Sequence, residues 1–253
     1  MRRALLLVIV AACGSSSPDH ATADAATTHD ATRPDAPPDG TDGAVSAGFG
    51  DLSGMCGVIH EVDLTQPTFE MIEVSFGFAM QYVDPGDRAQ LTAGGQHLAA
   101  TPNAGGSSGL SEIFAYEELA RCEGATFLKS ETEIAYEPPT SKKTDLEVVM
   151  GTHKIGVSVT RAFKGPFGSG PLTAAASDEL ANRKLSDIHA STAGVQTSAD
   201  RWDKQILAVL VDNAEDAATF RTSVSAIDAT VKGDTILILT TTDGADDFIY
   251  TNQ

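Results

Sequence analysis

Short apolar runs recur along the chain from residue 62 onward, and their spacing predicts the strands of a folded domain. Residues 69–78 mostly alternate between apolar and polar positions, which predicts a half-buried strand, and residues 62–64 suggest a shorter one. The runs 206–211 and 235–240 are almost continuously apolar and β-branched. Such runs are typical of strands buried on both faces of a sheet.

Helices and hairpins complete the pattern. Ser111 is a candidate N-cap and Gly124 a candidate terminator of a first helix. Residues 92–109, rich in Gly and Ser, predict a loop before it. The further predicted strands are 126–136, 145–150 and 154–162, and the further predicted helices are 177–193 and 214–227. Hairpin-linked strands followed by strand–helix–strand units imply an α/β fold, with a mixed central sheet and flanking helices.

The N-terminus has the pattern of an export signal. Two arginines precede the uncharged run 4–12, which is too short to span a bilayer as a helix. Val10-Ala11-Ala12-Cys13 resembles the lipobox of bacterial lipoproteins. This resemblance implies that Cys13 is lipidated, and that the chain is exported and anchored to a membrane of the cell envelope. The alternative is an ordinary buried cysteine after a short apolar run.

Composition divides the chain into four parts. Residues 1–12 form the signal peptide, and residues 13–50 consist almost entirely of small, polar and acidic residues that cannot bury enough apolar surface to fold. We expect 13–50 to be a disordered acidic tether. Residues 51–110 then form an N-terminal β-containing extension, and residues 111–253 form the α/β core.

The charge of the chain bears on its partners. There are 35 acidic and 17 basic residues, a formal net charge of -18. Binding to phosphate backbones requires clustered Lys and Arg, so this balance disfavours nucleic acid as a partner unless a local basic patch exists. The hydrophobic fraction of 42% is that of a folded protein.

The predicted order of helix, three strands, helix and strand resembles the restriction-endonuclease-like, or PD-(D/E)XK, nuclease superfamily. The similarity covers roughly residues 92–240 and is carried by short motifs: Ser111-Glu112, Thr144-Asp145 and Gly156-Val157-Ser158-Val159-Thr160-Arg161-Ala162. It implies a restriction-endonuclease-like core preceded by the N-terminal β extension. The motif is altered, as in an uncharacterised branch of that superfamily.

Active members of the superfamily hold Mg²⁺ with carboxylates, and the metal activates water for phosphodiester hydrolysis. The resemblance assigns Glu112 as the helix carboxylate, with Glu117 as its substitute, and Asp145 as the second-strand aspartate. Glu112 and Asp145 are therefore the candidate metal ligands. Ser158 and Thr160 stand where the family has an acid and a lysine on the third strand. This departure removes two groups that the reaction requires.

Strand alternation places Asp145 and Glu147 on one side of their strand, and Ser158 and Thr160 on one side of the next. These side chains could converge on a polar pocket, to which Glu147 would add a third carboxylate if it turned inward. Lys184 on the following helix replaces the missing lysine better than Arg161 does, because Arg161 has the opposite parity. The candidate catalytic set is therefore Glu112, Asp145, Ser158 and Lys184.

Two functions fit this reading. The favoured one is an exported, membrane-anchored lipoprotein whose nuclease-like domain is inactive and serves a binding or structural role toward a protein or a small ligand. The alternative is a Mg²⁺-dependent nuclease or phosphodiesterase with a remodelled active site.

Cys56 and Cys122 remain once Cys13 is assigned to the lipid. In an exported protein an even pair of cysteines is a candidate disulfide, which here would stabilise the fold by about 3 to 4 kcal/mol through loop closure. The alternative is a pair of small buried apolar side chains.

Overall fold

A mixed sheet with helices on both faces forms the centre of the computed structural model, which describes residues 47–101, 108–164 and 170–251. The strands are β1 (Asp51–Gly54), β2 (Glu70–Phe78), β3 (Thr126–Ser130), β4 (Leu146–Met150), β5 (His153–Arg161), β6 (Lys204–Val211) and β7 (Ile236–Gly244). The helices are α1 (Glu61–Thr65), α2 (Ala93–Ala100), α3 (Gly109–Glu123), α4 (Ala174–Val195), α5 (Ala214–Ala226), α6 (Ala229–Lys232) and α7 (Asp247–Thr251), with a 3₁₀ turn at Arg88–Gln90.

The predicted signal peptide, Cys13 and the tether up to residue 46 lie outside the described residues. The last residues of the predicted tether belong to the fold instead, since Phe49 is buried and Arg121 donates to the carbonyls of Phe49 and Gly50. Within the described ranges, no helix is both long enough and apolar enough to cross a membrane.

The sheet has the strand order β1-β2-β7-β6-β5-β4-β3. Four neighbouring strands, β2, β7, β6 and β5, are parallel, while β1, β4 and β3 pair antiparallel at the two edges. This confirms the predicted mixed α/β sheet with flanking helices. The predicted order from the first long helix, α3-β3-β4-β5-α4-β6-α5-β7, is also confirmed, with the short α6 inserted before β7.

The N-terminal segment belongs to the same sheet. Strand β2 pairs with β7 over nine positions, and β1 continues the sheet beyond β2. The β-containing extension therefore supplies one edge of the central sheet.

Alternate residues of the central strands enter two separate cores. Strand β6 is buried along its whole length, as its continuous apolar run predicts. Ile206 and Ala208 face the core beneath α3, whereas Leu207 and Val209 face the core beneath α4 and α5.

An aromatic cluster fills the core on the α3 side of the sheet. The rings of Phe78, Phe114 and Phe248 pack edge-on or tilted there, at centroid distances of 5.0 to 5.3 Å.

Two local predictions are wrong. Residues 62–64 lie in helix α1, where the backbone N–H of His60 donates to Asp63 at 2.8 Å and caps the first turn.

The segment 92–109 contains helix α2, whose N-cap Thr92 accepts from the backbone N–H of Gly95. Two glycines near its start made the segment look like a loop. In the fold they allow close packing, because a side chain at either position would collide with Tyr116 or Glu117 of α3.

Two predicted element boundaries, the start of the first long helix and the end of the strand after it, also differ from the structure. Helix α3 begins at Gly109, and Ser111 lies inside it with its hydroxyl donating to the carbonyl of Ser108. Strand β3 ends at Ser130 because Glu133 folds back and accepts from the Ser130 backbone N–H at 2.9 Å. The apolar residues after that turn pack in a small separate core: Ile134, Tyr136, Val195 and Trp202.

The candidate disulfide is confirmed, since the Sγ atoms of Cys56 and Cys122 are 2.01 Å apart. The bond ties the segment after β1 to the last turn of α3. Glu123, the next residue, accepts from the backbone N–H groups of Gly57 and Ile59 at 2.9 and 3.0 Å, which reinforces the same junction.

We predict that removing the disulfide with the double variant Cys56→Ala/Cys122→Ala lowers the free energy of unfolding by about 4 kcal/mol, because the bond closes a loop of 66 residues. Urea unfolding of the variant and of the parent, with and without dithiothreitol, measures the difference. The reductant should destabilise the parent and leave the variant unchanged. Equal stability of parent and variant under oxidising conditions would contradict the prediction.

Candidate functional site

The predicted second-strand aspartate lies at the start of the β4–β5 hairpin pairing. Asp145 directly precedes β4, and its backbone N–H donates to the carbonyl of Val157 on β5. Its carboxylate oxygen Oδ2 accepts from the backbone N–H of Val159 at 2.6 Å and from the hydroxyl of Ser158 at 3.2 Å. The structure thus brings together Asp145 and Ser158, two of the four candidate site residues.

Glu112 enters the site from helix α3. It lies in the first turn, is 8% exposed and accepts from the Ser108 hydroxyl at 2.6 Å. A carboxylate in the first turn also suits the helix dipole. The charge of Glu112 acts on the Asp145 carboxyl, and so does the charge of Lys184 on α4. Glu112, Ser158 and Lys184 therefore all interact with Asp145, either through charge or through a hydrogen bond.

The carboxyl of Asp145 has an unusual proton affinity. Burial, and after it the neighbouring Glu112 charge, raise its pKa to about 6. The hydrogen bond from Val159, the charge of Lys184 and the hydrogen bond from Ser158 oppose this rise. Asp145 consequently titrates close to physiological pH, a property that is common at functional sites.

Ser158 and Thr160 alternate with Val157 and Val159 along β5, so both face the same side of the sheet, and each is 8% exposed. The Ser158 hydroxyl donates to Asp145, and Thr160 lies two positions further along the same side. A hydroxyl can donate to a carboxylate without adding negative charge.

The other charged candidates have different surroundings. Glu117 accepts from the backbone N–H and hydroxyl of Thr92, at 2.9 and 2.6 Å. Glu147 is fully buried beside Lys154, whose Nζ is 3.4 Å from its Oε1. Arg161 donates to the backbone carbonyls of Ile249 and Tyr250. None of these contacts adds a third carboxylate to the Glu112–Asp145 pair.

The donor set does not fit Mg²⁺. This ion requires several oxygen ligands in near-octahedral geometry. Here Oδ2 of Asp145 is already engaged by two donors, and the third-strand position supplies the hydroxyl of Ser158 directed at that carboxylate. Among the described side chains, no group of three or more His, Cys, Asp or Glu is arranged to hold a metal ion.

A cavity adjoins Glu112. Its volume is about 190 Å³, and it lies between α2, the first turns of α3 and the segment that follows β3. The apolar part of its described lining is Leu98, Ala99, Leu110 and Ile113. The sequence pattern did not indicate this cavity, because one wall is α2, whose glycine content predicts a loop. The Thr92 cap and the apolar pair Leu98 and Ala99 were the available signals.

The chain folds into a mixed α/β domain. Its candidate site contains the carboxylates of Glu112 and Asp145 and the hydroxyl side chains of β5, and a partly apolar cavity adjoins Glu112. No protein-family model matches the chain, and no solved structure matches it. A similar curated protein is the "AAC-rich mRNA clone AAC4 protein" of Dictyostelium discoideum, 42% identical over 124 residues. Those residues are 47% of this chain but 18% of the relative, so the match does not assign the chain to a family.

We predict that the raised pKa of Asp145 makes the protein lose stability as the pH rises from about 4 to above 6. The folded protein binds the Asp145 proton more tightly than the unfolded chain does, so raising the pH favours unfolding. The loss attributable to this group is at most about 3 kcal/mol. Asp145→Asn should flatten this part of the pH profile, as measured by urea unfolding between pH 4 and pH 8.

The matched control is Asp178→Asn on the exposed face of α4. It should leave the pH profile of the parent unchanged. Parallel profiles for the parent and Asp145→Asn would show that Asp145 does not carry the effect.

Proposed function

We propose that this chain is an exported, lipid-anchored protein whose folded part is a restriction-endonuclease-like domain that binds a ligand and does not cleave phosphodiesters. Cys13 would carry the lipid, the part of residues 13–50 that precedes the buried Phe49 would form the tether, and the Glu112–Asp145 site would lie in the binding region. A protein or a small molecule, rather than nucleic acid, is the partner that the negative charge favours.

The observation that carries the proposal is the contact between Ser158 and Asp145. In the nuclease pattern, the position of Ser158 would supply an acid that shares a metal with the aspartate. Here the Ser158 hydroxyl and the Val159 backbone N–H donate to that aspartate. Hydrogen bonds therefore stabilise its carboxylate in the place of a metal ion. The raised pKa of Asp145 also weakens it as a metal ligand, because metal ligands must be deprotonated.

Two further features support export. The disulfide between Cys56 and Cys122 is the kind of bond that persists in oxidising compartments. The order of positive charge, short apolar run, small residues and cysteine at the N-terminus is that of a lipoprotein leader. The proximity of Lys184 to Asp145 is what favours the alternative of a remodelled phosphodiesterase, since it returns a cation to the site.

A nuclease assay tests the absence of turnover. The full chain is incubated with plasmid and single-stranded DNA in Mg²⁺ or Mn²⁺, next to Asp145→Ala and the exposed-site control Asp178→Ala. We expect all three proteins to give the same background. Metal-dependent cleavage that Asp145→Ala abolishes and Asp178→Ala retains would establish the phosphodiesterase instead.

A second experiment tests the anchor. Expressed in a bacterium with a lipoprotein pathway, the full chain should partition into detergent phase and carry acyl chains at Cys13 by mass spectrometry, because acylation contributes about 0.8 kcal/mol per buried methylene. Cys13→Ala should remain in the aqueous phase, whereas the neighbouring control Ser16→Ala should behave as the parent. Equal partitioning of Cys13→Ala and the parent would reject lipidation.

A further inference from the structure

The ring of His153 joins three separate parts of the chain. His153 is the first residue of β5, directly after the β4–β5 turn. Its Nε2 lies 2.6 Å from Oε1 of Glu61 on α1, and its Nδ1 lies 3.2 Å from Oδ2 of Asp203, which precedes β6. The His153 side chain is only 16% exposed, so the ring is held between these partners. Both ring nitrogens therefore face a carboxylate.

This arrangement suits a protonated ring. A neutral imidazole has one N–H donor, so its other nitrogen would direct a lone pair at a carboxylate, whereas an imidazolium donates from both nitrogens. The hydrogen bond with Glu61 is the largest cause of a raised His153 pKa. The hydrogen bond with Asp203 and the charges of both carboxylates act in the same direction, against the opposing effect of burial.

The other charged groups around this junction are directed elsewhere. Nζ of Lys154, the next residue of β5, lies 3.4 Å from Oε1 of Glu147. Nζ of Lys204 donates to a backbone carbonyl at 2.6 Å, and Asp63, the other acid of α1, accepts from a backbone N–H at 2.8 Å. The charges that act on the His153 pKa are consequently those of its two partners.

The segment that contains α1 is fixed at both ends independently of His153. Before α1, Cys56 forms the disulfide with Cys122. After α1, Lys204 donates to the carbonyl of Gln66. The ion pair with His153 holds the first residue of α1, between these two attachments. A change in the protonation of His153 therefore acts on a short helix between two fixed points.

We propose that His153 is a pH-responsive clamp, whose protonated ring holds α1 against the β4–β5 turn and whose deprotonation loosens α1. The folded chain binds this proton more tightly than an unfolded chain does. The stabilising contact is therefore complete below the ordinary histidine pKa of about 6.5, and it is lost as the pH rises through the folded pKa. The clamp is independent of the ligand that the domain binds.

Proton NMR of the full chain tests the proton affinity by following the ring Cε1–H of His153 between pH 5 and pH 9. The resonance is assigned by its absence from His153→Gln. We expect a titration midpoint above that of an ordinary histidine. Glu61→Gln and Asp203→Asn each remove one charge without changing the size of the side chain, and each should lower the midpoint. Asp178→Asn, which removes an exposed charge from α4, is the matched control and should leave it unchanged.

Amide exchange with water, measured by NMR and divided by the intrinsic rate at each pH, follows α1 itself. The backbone N–H of Leu64 donates to the carbonyl of His60, and that of Gln66 donates to the carbonyl of Val62, so their protection reports on the helix. We expect this protection to fall about two- to fivefold as the pH rises through the His153 midpoint, as for the release of an exposed ion pair. In Glu61→Gln the protection should be at the lower level throughout the pH range.

A midpoint equal to that of an ordinary histidine, or one that neither Glu61→Gln nor Asp203→Asn lowers, would overturn the clamp. A raised midpoint with the same α1 protection on both sides of it would overturn it as well, because His153 would then have no hold on the helix.

Discussion

The burial of helix α3 is the constraint on which the rest of the fold depends. All residues from Ser111 to Leu119 are buried, so the helix has no face that is reserved for its polar side chains. Three glutamates, Glu112, Glu117 and Glu118, nevertheless lie in this stretch. A buried carboxylate is costly unless it is hydrogen-bonded or protonated, so each of these residues requires a specific partner from another part of the chain.

These partners connect α3 to most of the domain. Ser108 donates to Glu112, Thr92 donates to Glu117, and the hydroxyl of Thr240 on β7 donates to Glu118 at 2.7 Å. Burial raises the pKa of Glu118 to about 8, so its neutral form is favoured in the core at neutral pH. Further along, Arg121 donates to the carbonyls of Phe49 and Gly50, and Cys122 forms the disulfide. The N-terminal segment, α2 and the parallel sheet are therefore all held by one helix.

How much of this the sequence could reveal depends on whether the determining interactions are local. The strands β2, β4, β5 and β6 were predictable because their apolar periods match the burial they acquire. The end of α3 was predictable because Gly124 adopts a left-handed conformation with φ 68°.

The segments that the sequence misassigned owe their structure to contacts with distant residues. Helix α2 contains two glycines that weaken its intrinsic preference, and it forms because those glycines allow contact with Tyr116 and Glu117 of α3. The pairing of Asp145 with Ser158 followed from strand alternation, whereas the electrostatic influence of Glu112 on Asp145 depends on the angle at which α3 crosses the sheet. No local pattern encodes that angle. The cavity shares this dependence, since its walls come from two helices and the chain after β3.

Glu112 belongs to both parts of the candidate site, the cavity and the surroundings of Asp145. Its carboxylate lines the cavity and also raises the pKa of Asp145. Arg161 on β5 interacts electrostatically with Glu112, and a cation near this glutamate offsets part of its charge. Such an offset lowers the proton affinity of Asp145, because repulsion from Glu112 is one of the causes of the raised pKa. By reciprocity, deprotonation of Asp145 strengthens the attraction of this region for cations. The proton at Asp145 and the charges around Glu112 are consequently coupled through one glutamate, whose place is fixed by the burial of α3.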